Sequence, residues 1–530
     1  MRRWNGWGDD SVTYSLPSSA VSYLERQMGK NHPPVDVKLE QVVTQMSKSR
    51  LPMHPLVSID PLSRILHARG QSFPNWVELH SGQIGSFPDG VSYPLSNADV
   101  SDLIKFAQKS GVSIIPYGGG TSVVGHIDPV KGKNPVLTID LSRMNQLIDL
   151  DDVSLLATFE AGVTGPDMEA QLRSHGFTLG HFPQSFEYST LGGWVATRSS
   201  GQQSLKYGRI EKLFAGGKLE TPRGGLVLPA FPASAAGPDL REIVLGSEGR
   251  MGILTQVQVR ISPLPEHEEF HAVFFPDFSH GIEAVRKILS SGISLCMLRL
   301  STANETMTTL ALAGHEKLIG ALERLLSIRG LGDEKCMLLA GFSGKEAIVR
   351  INRSEAFNIT AKHGGIHIGK TLGEQWQKNR FRTPYLRNTL WELGYGIDTL
   401  ETATDWGNTP HMVEQIEAAL QYVMEGIGAK IHIFTHLSHV YPYGSSIYTT
   451  YLFNLTDDPD QTISRWKAMK SAASQAIIAS GGTISHQHGV GLDHLKYLEQ
   501  EKGRLGMDVI NSICREFDPK GIMNPGKLIL

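Results

Sequence analysis

Cysteine is scarce: three in 530 residues, Cys296, Cys336 and Cys514. An odd number of widely spaced thiols excludes a disulfide framework and suits a reducing compartment, and no C-x-x-C pair offers a metal site. Excess charge of one sign is also missing. The 50 Lys+Arg against 53 Asp+Glu give a formal net of -3, too little to attract nucleic acid in bulk. No apolar run reaches the roughly 20 residues that span a bilayer. The opening MRRWNGWGDD lacks the apolar core of a secretory signal. Repeats and low-complexity tracts are absent. These absences predict a soluble protein without a nucleic-acid partner, in which membrane contact is at most peripheral.

A chain this long, 40% hydrophobic, divides into two or three packed regions. Residues 1–87 mix short helical patterns with Pro33, Pro34, Pro52, Pro55 and Pro61 and read as a helical lead-in. Over 88–265 strands and helices alternate. VSYPLSNADVSDLIKFAQKSGVSIIPYGGG reads as a strand, a helix opened near Asn97 and Asp99, and an apolar strand; GPDMEAQLRSHG is a helix closed by Gly176. Pro263 and Pro265 mark a boundary. Residues 266–460 carry strand-like HAVFFPDF, SLCMLRL, KCMLLAGF, KIHIFTHLSHVY and YTTYLFNL between helical pieces, the pattern of a sheet covered by helices. Residues 461–530 read as a helical segment broken by GGTISHQHGVG. Such alternation of strands and helices is what α+β or α/β folding requires.

Three glycine-rich segments carry the chemistry. In IPYGGGTSVVG, Gly118, Gly119 and Gly120 follow the strand residues Pro116 and Tyr117 directly, with Thr121 and Ser122 behind them. Glycine permits positive φ and close approach of backbone N–H groups to a pyrophosphate. The segment is neither G-x-G-x-x-G nor G-x-x-x-x-G-K-[ST], which disfavours a Rossmann or P-loop site. GHFPQSFEYSTLGGWVATRSSG follows, then GSEGRMGILT. In this order the three resemble the PCMH-type FAD-binding domain of the vanillyl-alcohol-oxidase-like superfamily. The resemblance implies an α+β fold, with a two-subdomain FAD-binding unit over 88–265, an α+β cap or substrate domain over 266–460, and a C-terminal helical segment completing the active site. It implies FAD held by the first segment, then by Gln184, Ser185, Ser189, Thr190, Gly193, Thr197, Arg198, Ser199 and Ser200, and finally by Ser247, Glu248, Gly249, Gly252 and Ile253. No His or Cys clearly marks a covalent flavin link, although His126 and His181 fall in flavin-adjacent segments.

The C-terminal half separates two classes within that superfamily. Flavin-dependent 2-hydroxyacid dehydrogenases carry H-x-G-D-G-N and G-G-x-x-S-G-E-H-G-x-G; here the corresponding text is THLSHVYPYG and GGTISHQHGVG. Gln487 replaces an anionic metal ligand. His432 and His436 share one strand face and His439 falls on the other, with no nearby carboxylate to complete a facial triad, so one or two histidines lining the active site and no metal are expected.

The same residues, with RRWNGWGD, LRLS, TPYLRNTLWELG, GSSIYTTYLF and SHQHGVG, resemble alkylglycerone-phosphate synthases (alkyldihydroxyacetonephosphate synthases) over nearly the whole chain. That resemblance implies exchange of the acyl group of acyl-dihydroxyacetone phosphate for a fatty alcohol, in ether-lipid synthesis, with no net redox change at the flavin. It implies a proton-moving role for Tyr448, substrate binding by Arg387, and active-site roles for Arg299, His181, Ser247, His486 and His488. The family's triple histidine is His486-Gln487-His488 here, HEPDS-like text is HFPQS, and Arg250 replaces a small residue. A tyrosine of ordinary pKa acts as a base only if cations such as Arg387 or a protonated His stabilise its phenolate. The resemblance further implies a homodimer. With no SKL-type address, the placement expected is cytoplasmic, peripheral to a membrane. A 2-hydroxyacid dehydrogenase or other FAD-linked oxidase is the alternative, and a flavin binder without catalysis the third reading.

Overall fold

The computed structural model describes residues 2–314 and 316–529. Two small sheets, a two-stranded ribbon and one large sheet organise them. A four-stranded sheet runs Val57–Ser58, Gly90–Ser92, Val136–Asp140, Ser113–Tyr117, its first pairing antiparallel and the other two parallel. The parallel strands are joined by the helix Asn97–Ser110, which starts where Ser96 accepts the Asp99 N–H and stops at left-handed Gly111. It buries Val100, Leu103, Ile104 and Ala107. An antiparallel five-stranded sheet follows, in the order Leu147–Asp151, Leu156–Glu160, Ile253–Arg260, Phe214–Thr221, Gly224–Leu228.

One core fills the space between these two sheets, with Leu137, Ile139, Phe159, Trp194 and Val257 inside it. Cys514, Ile522 and Met523 from the far end of the chain belong to the same core. Ile114 N–H donates to the Ile522 carbonyl and Asn524 N–H to the Ile114 carbonyl, both at 2.7 Å. The C-terminal stretch is shared between the two halves. Helix Pro459–Ala479 packs on the large sheet through Trp466, Met469, Ala473 and Ile477. Residues 484–494 cross the site, and Leu498–Phe517 with the tail closes the nucleotide half.

The large sheet is antiparallel throughout. Its order is Ile366–His367, His267–Phe275, Cys336–Gly344, Met297–Ser301, Ile431–Leu437, Gly444–Asn454, Tyr395–Asp405, with Val440–Tyr441 paired to Gly444–Asn454. Alternation along each strand sorts the side chains. Leu298, Leu300, Leu338, Ala340, Ile447, Tyr451 and Phe453 join the core under the helices Phe278–Ser290, Glu346–Lys362 and Thr409–Gly426. Their neighbours Met297, Arg299, Leu339, Tyr448, Thr450 and Leu452 face the opposite way, into a cavity. A one-residue slip in any of these strands would move its cavity set into the core.

Candidate active site

The cavity is about 620 Å³ and lies between the nucleotide half and the open face of the large sheet. Backbone forms its floor. Residues 116–122 pass under it so closely that a Cβ on Gly119 would sit 1.7 Å from the Tyr188 carbonyl oxygen, and one on Gly118 2.2 Å from Thr190 Oγ1. Gly120 has φ +66° and Gly249 +75°, a region that side chains other than glycine disfavour. A glycine loop with no room for side chains and hydroxyls around it fits a dinucleotide's phosphates.

Of the residues expected to hold the cofactor, Pro116, Tyr117, Thr121, Ser122, Gln184, Ser185, Ser189, Thr190, Gly193, Thr197, Ser199, Ser200, Ser247, Gly252 and Ile253 line the cavity together with these glycines. Two others are engaged elsewhere. Arg198 turns outward to an ion pair with Glu242. Glu248 reaches the cavity wall, but its carboxylate accepts the N–H groups of Val490 (2.5 Å) and Gly491 (3.0 Å) and pairs with His126 at 3.1 Å. It ties the 246–252 turn to the 486–491 loop.

The wall opposite carries the ionisable groups. Tyr448 O–H donates to Gln184 Oε1 at 3.3 Å, and the His436 ring stacks on Tyr448 with centroids 4.9 Å apart. Arg299 and His436 are both held by Glu305, a fully buried carboxylate from the helix Ala303–Leu312: Arg299 Nη2 donates to Oε1, and His436 Nδ1 lies 2.9 Å from Oε2. Arg387 lies 4.3 Å over Trp76 and donates to the Gln71 carbonyl at 2.7 Å. Burial pushes its guanidinium down to about 10, still cationic at neutral pH. Arg380 also lines the cavity, over Phe182 and Phe381. Arg299 Nε, Arg380 Nη1 and Gln487 Oε1 have no partner among the described residues, so three cavity-lining side chains keep buried polar atoms for something else.

The expectation of a Tyr448 phenolate stabilised by cations meets a different environment. Burial first, then the Glu401 charge, push the phenol above its ordinary value, and Arg387 offsets this only in part. Burial lowers His488, with Glu401 opposing, and lowers His436, with Arg299 adding to the effect. Tyr448 is therefore a neutral phenol between neutral imidazoles.

His488 lines the cavity; His486 and His181 do not. His181 is wholly buried behind Ser199, 3.2 Å from its Oγ, and burial pushes it down to about 3. His486 sits behind the wall, 2.6 Å from Tyr441 Oη and 3.1 Å from Glu401 Oε1. Glu401, His439 and His486 place one donor atom each within 4.8 Å of one another. Two of the three are already bonded together, His439 Nδ1 faces the Ser200 and Ser204 hydroxyls, and Arg209 donates to the His486 carbonyl. Glu401 and His486 are a hydrogen-bonded pair beside a fixed cation, with the His439 ring stacked on His486.

Glu305, Glu401 and Arg380 escape a reading of the sequence. Nothing in STANETMTTL, GIDTLETATD or KNRFRTPY distinguishes them from surface charges; only burial and sheet register do. Beyond the polar centre the walls become apolar on two sides. Leu24, Leu390, Ile397, Phe434 and Leu452 line one, and Met297, Leu310, Met337, Leu339 and Trp376 the other.

Comparison with known proteins bears on this arrangement. A family described as FAD binding domain matches residues 88–228, and one described as FAD linked oxidases, C-terminal domain, matches 264–528. The chain is 33% identical over 480 residues to an alkyldihydroxyacetonephosphate synthase of Dictyostelium discoideum, covering 89% of this chain and 78% of that one. It is 31% identical to the protein of the same name from Trypanosoma brucei brucei, over 99% of this chain and 92% of that one. A solved alkyldihydroxyacetonephosphate synthase structure superposes with a TM-score of 0.85 at 29% identity, covering 99% and 98% of the two chains.

Proposed function

The chain belongs to the alkyldihydroxyacetonephosphate synthase family of FAD-dependent enzymes, and from that premise we propose that it exchanges the acyl group of an acyl-dihydroxyacetone phosphate for a fatty alcohol. The observation that supports this most directly is the meeting, in one cavity, of a dinucleotide cradle, three cationic guanidinium groups, a Tyr–His cluster and two apolar branches.

Each part answers a need of that reaction. A phosphate on a short carbon skeleton calls for forked cations, and Arg299, Arg380 and Arg387 offer planar N–H donors at the polar centre. Two long chains, one leaving and one arriving, need two apolar walls. FAD, when bound, supplies the nucleophilic chemistry that allows exchange at C1 without net oxidation. The proton at C1 is handled by His488 and Tyr448. Neutral His488 takes it, and Tyr448, a phenol that stays protonated, turns its O–H from Gln184 to an oxygen of the substrate. His436 fixes the plane of the phenol by stacking, and Glu305 fixes His436.

Peripheral membrane contact belongs to the same reading. The helix Glu316–Ile328, next after the cavity-lining Leu312 and Ala313, exposes Leu318, Leu325 and Ile328, an apolar strip of the kind that meets lipid headgroups. Flotation with neutral and anionic vesicles tests it; a Leu318→Glu, Ile328→Glu protein that floats like the parent would remove this part of the reading.

The decisive experiment supplies palmitoyl-dihydroxyacetone phosphate and hexadecanol to the FAD-loaded protein. Hexadecyl-dihydroxyacetone phosphate and palmitate should form while the flavin absorbance is unchanged at the end. Flavin bleaching by a 2-hydroxyacid, with no exchange, would replace the proposal by the dehydrogenase reading.

A further inference from the structure

Exchange of an ester for an ether leaves a proton over. The alcohol loses its O–H proton as its oxygen bonds to C1, the C1–O bond of the ester breaks, and the fatty acid departs as carboxylate. Acyl compound and alcohol thus give alkyl compound, carboxylate and one H⁺. The cavity is lined by apolar walls, so that proton needs a way out.

We propose that Tyr441, His486 and Glu401 form a relay carrying this proton from His488 to the protein surface, with Glu401 its central positioning residue. The proposal rests on the acyl-for-alkyl reading above. His488 Nε2 faces Glu401 Oε2 at 3.6 Å, one small ring rotation short of a hydrogen bond. Glu401 Oε1 is 3.1 Å from His486 Nδ1, and His486 Nε2 is 2.6 Å from Tyr441 Oη. The inner end lines the cavity. At the outer end, partly exposed Tyr441 stacks on Tyr443, which is 78% exposed.

Three features favour a relay over a packing role. Glu401 is buried in the sheet opposite Tyr448 with no Lys or Arg side chain among the described residues paired to it, an expensive arrangement for a carboxylate that only packs. Among the described residues its Oε2 has no close hydrogen-bond partner, although the Gln487 side chain also approaches the carboxyl, and it is the atom turned toward His488. The resting tautomer is also fixed. Because the Glu401 oxygen accepts, His486 Nδ1 carries the hydrogen and Nε2 accepts from the Tyr441 hydroxyl. A proton passed from His488 to Oε2 neutralises Glu401 and frees His486 to turn its ring, so that its N–H faces Tyr441 Oη and its bare nitrogen accepts the Glu401 O–H proton. The N–H proton then passes to Tyr441 Oη, the tyrosine's own proton leaves to solvent, and Glu401 is a carboxylate again.

The groups facing Glu401 are His486, Gln487 and His488 from the 484–494 loop, Tyr448 from Gly444–Asn454, His436 from Ile431–Leu437, and Arg209 ahead of the helix Ile210–Leu213. Burial raises its pKa, an effect that His488 and Arg209 offset only in part. The relay needs the carboxylate form, so turnover should fall on acidification, with a midpoint above the ordinary carboxylate value.

The test begins with exchange by the wild-type holoenzyme; if none occurs, the functional reading fails before the relay is at issue. Given exchange, Glu401→Gln should retain FAD, lower kcat by about 100-fold with KM little changed, and erase the acidic limb of the kcat profile. Glu401→Asp should recover part of the rate. Tyr441→Phe, far from substrate, should lower kcat by about fivefold to tenfold and raise the solvent deuterium isotope effect. A readout independent of turnover is the ¹⁵N spectrum of His486, which should show the Nδ1–H tautomer in the wild type and lose that preference in Glu401→Gln. Wild-type kcat and pH profile in Glu401→Gln, or a defect confined to KM or FAD content, would overturn the relay, as would stoichiometric zinc bound by Glu401, His439 and His486.

Discussion

The two halves of this molecule build their parts of one cavity by opposite means. The nucleotide half works with backbone: glycines without room for a Cβ, a helix entered at Thr190, and turns at positive φ. The large sheet works with side chains: Glu305 holding Arg299 and His436, Glu401 holding His486, and Arg387 stacked on Trp76. A cradle of main-chain N–H groups tolerates changes of side chain but not of shape. A network of buried charges tolerates neither loss of a partner nor loss of register.

The largest effect expected comes from the side-chain half. Tyr448→Phe should cost about 1,000-fold in kcat while FAD content is unchanged; exchange assays and flavin absorbance check it, and undiminished turnover would remove the phenol from the chemistry. In the backbone half, Gly119→Ala should weaken FAD retention by about 100-fold or more, because its Cβ meets a backbone oxygen at 1.7 Å that cannot move aside. Equilibrium dialysis of the apoprotein measures this, and a mild effect would break the contrast drawn here.

Glu305→Gln comes next. With its charge gone, Arg299 and His436 lose their common anchor, and about 2 kcal/mol of stability should go with it, read by denaturant unfolding together with a rise in KM for the phosphate-bearing substrate. Glu269 offers a comparable test away from the cavity. Burial opposes its ionisation, yet Lys370, His267 and Arg353 hold its carboxyl down to about 2. Its stabilisation is complete above the unfolded value of 4.5 and disappears as pH falls through about 2. Glu269→Gln should therefore cost about 2 kcal/mol at neutral pH and almost nothing near pH 2, by thermal unfolding across that range. Smallest of all, Thr121→Val in the cradle should loosen FAD by about fivefold, since one hydroxyl is lost and the backbone donors stay.

Much of the nucleotide half was legible in the residues. Gly118, Gly119 and Gly120 after an apolar strand announce a loop that side chains cannot enter, and the helix opening near Asn97 is where the structure begins it. The site was legible in part. Tyr448, Arg299, Arg387 and His488 do converge on one cavity, whereas His181 and His486 lie behind its wall and Arg198 turns outward. The cations that a Tyr448 phenolate would need are outweighed because the nearest charge on its strand neighbour is negative: Glu401 sits directly across the ladder. No spacing in the sequence reveals that pairing.

What the sequence by itself determined is what local physics dictates: where glycine is required, where a strand alternates, where a helix starts, and through these the family. The tertiary structure alone decided which charges meet. His436 finds Glu305 across 131 residues and His486 finds Glu401 across 85, and a buried carboxylate becomes an anchor or a relay only when sheet register brings a partner to it. Backbone requirements are met within a few residues and so leave their mark in the text, while the energy of a buried charge depends on neighbours that only the folded chain supplies.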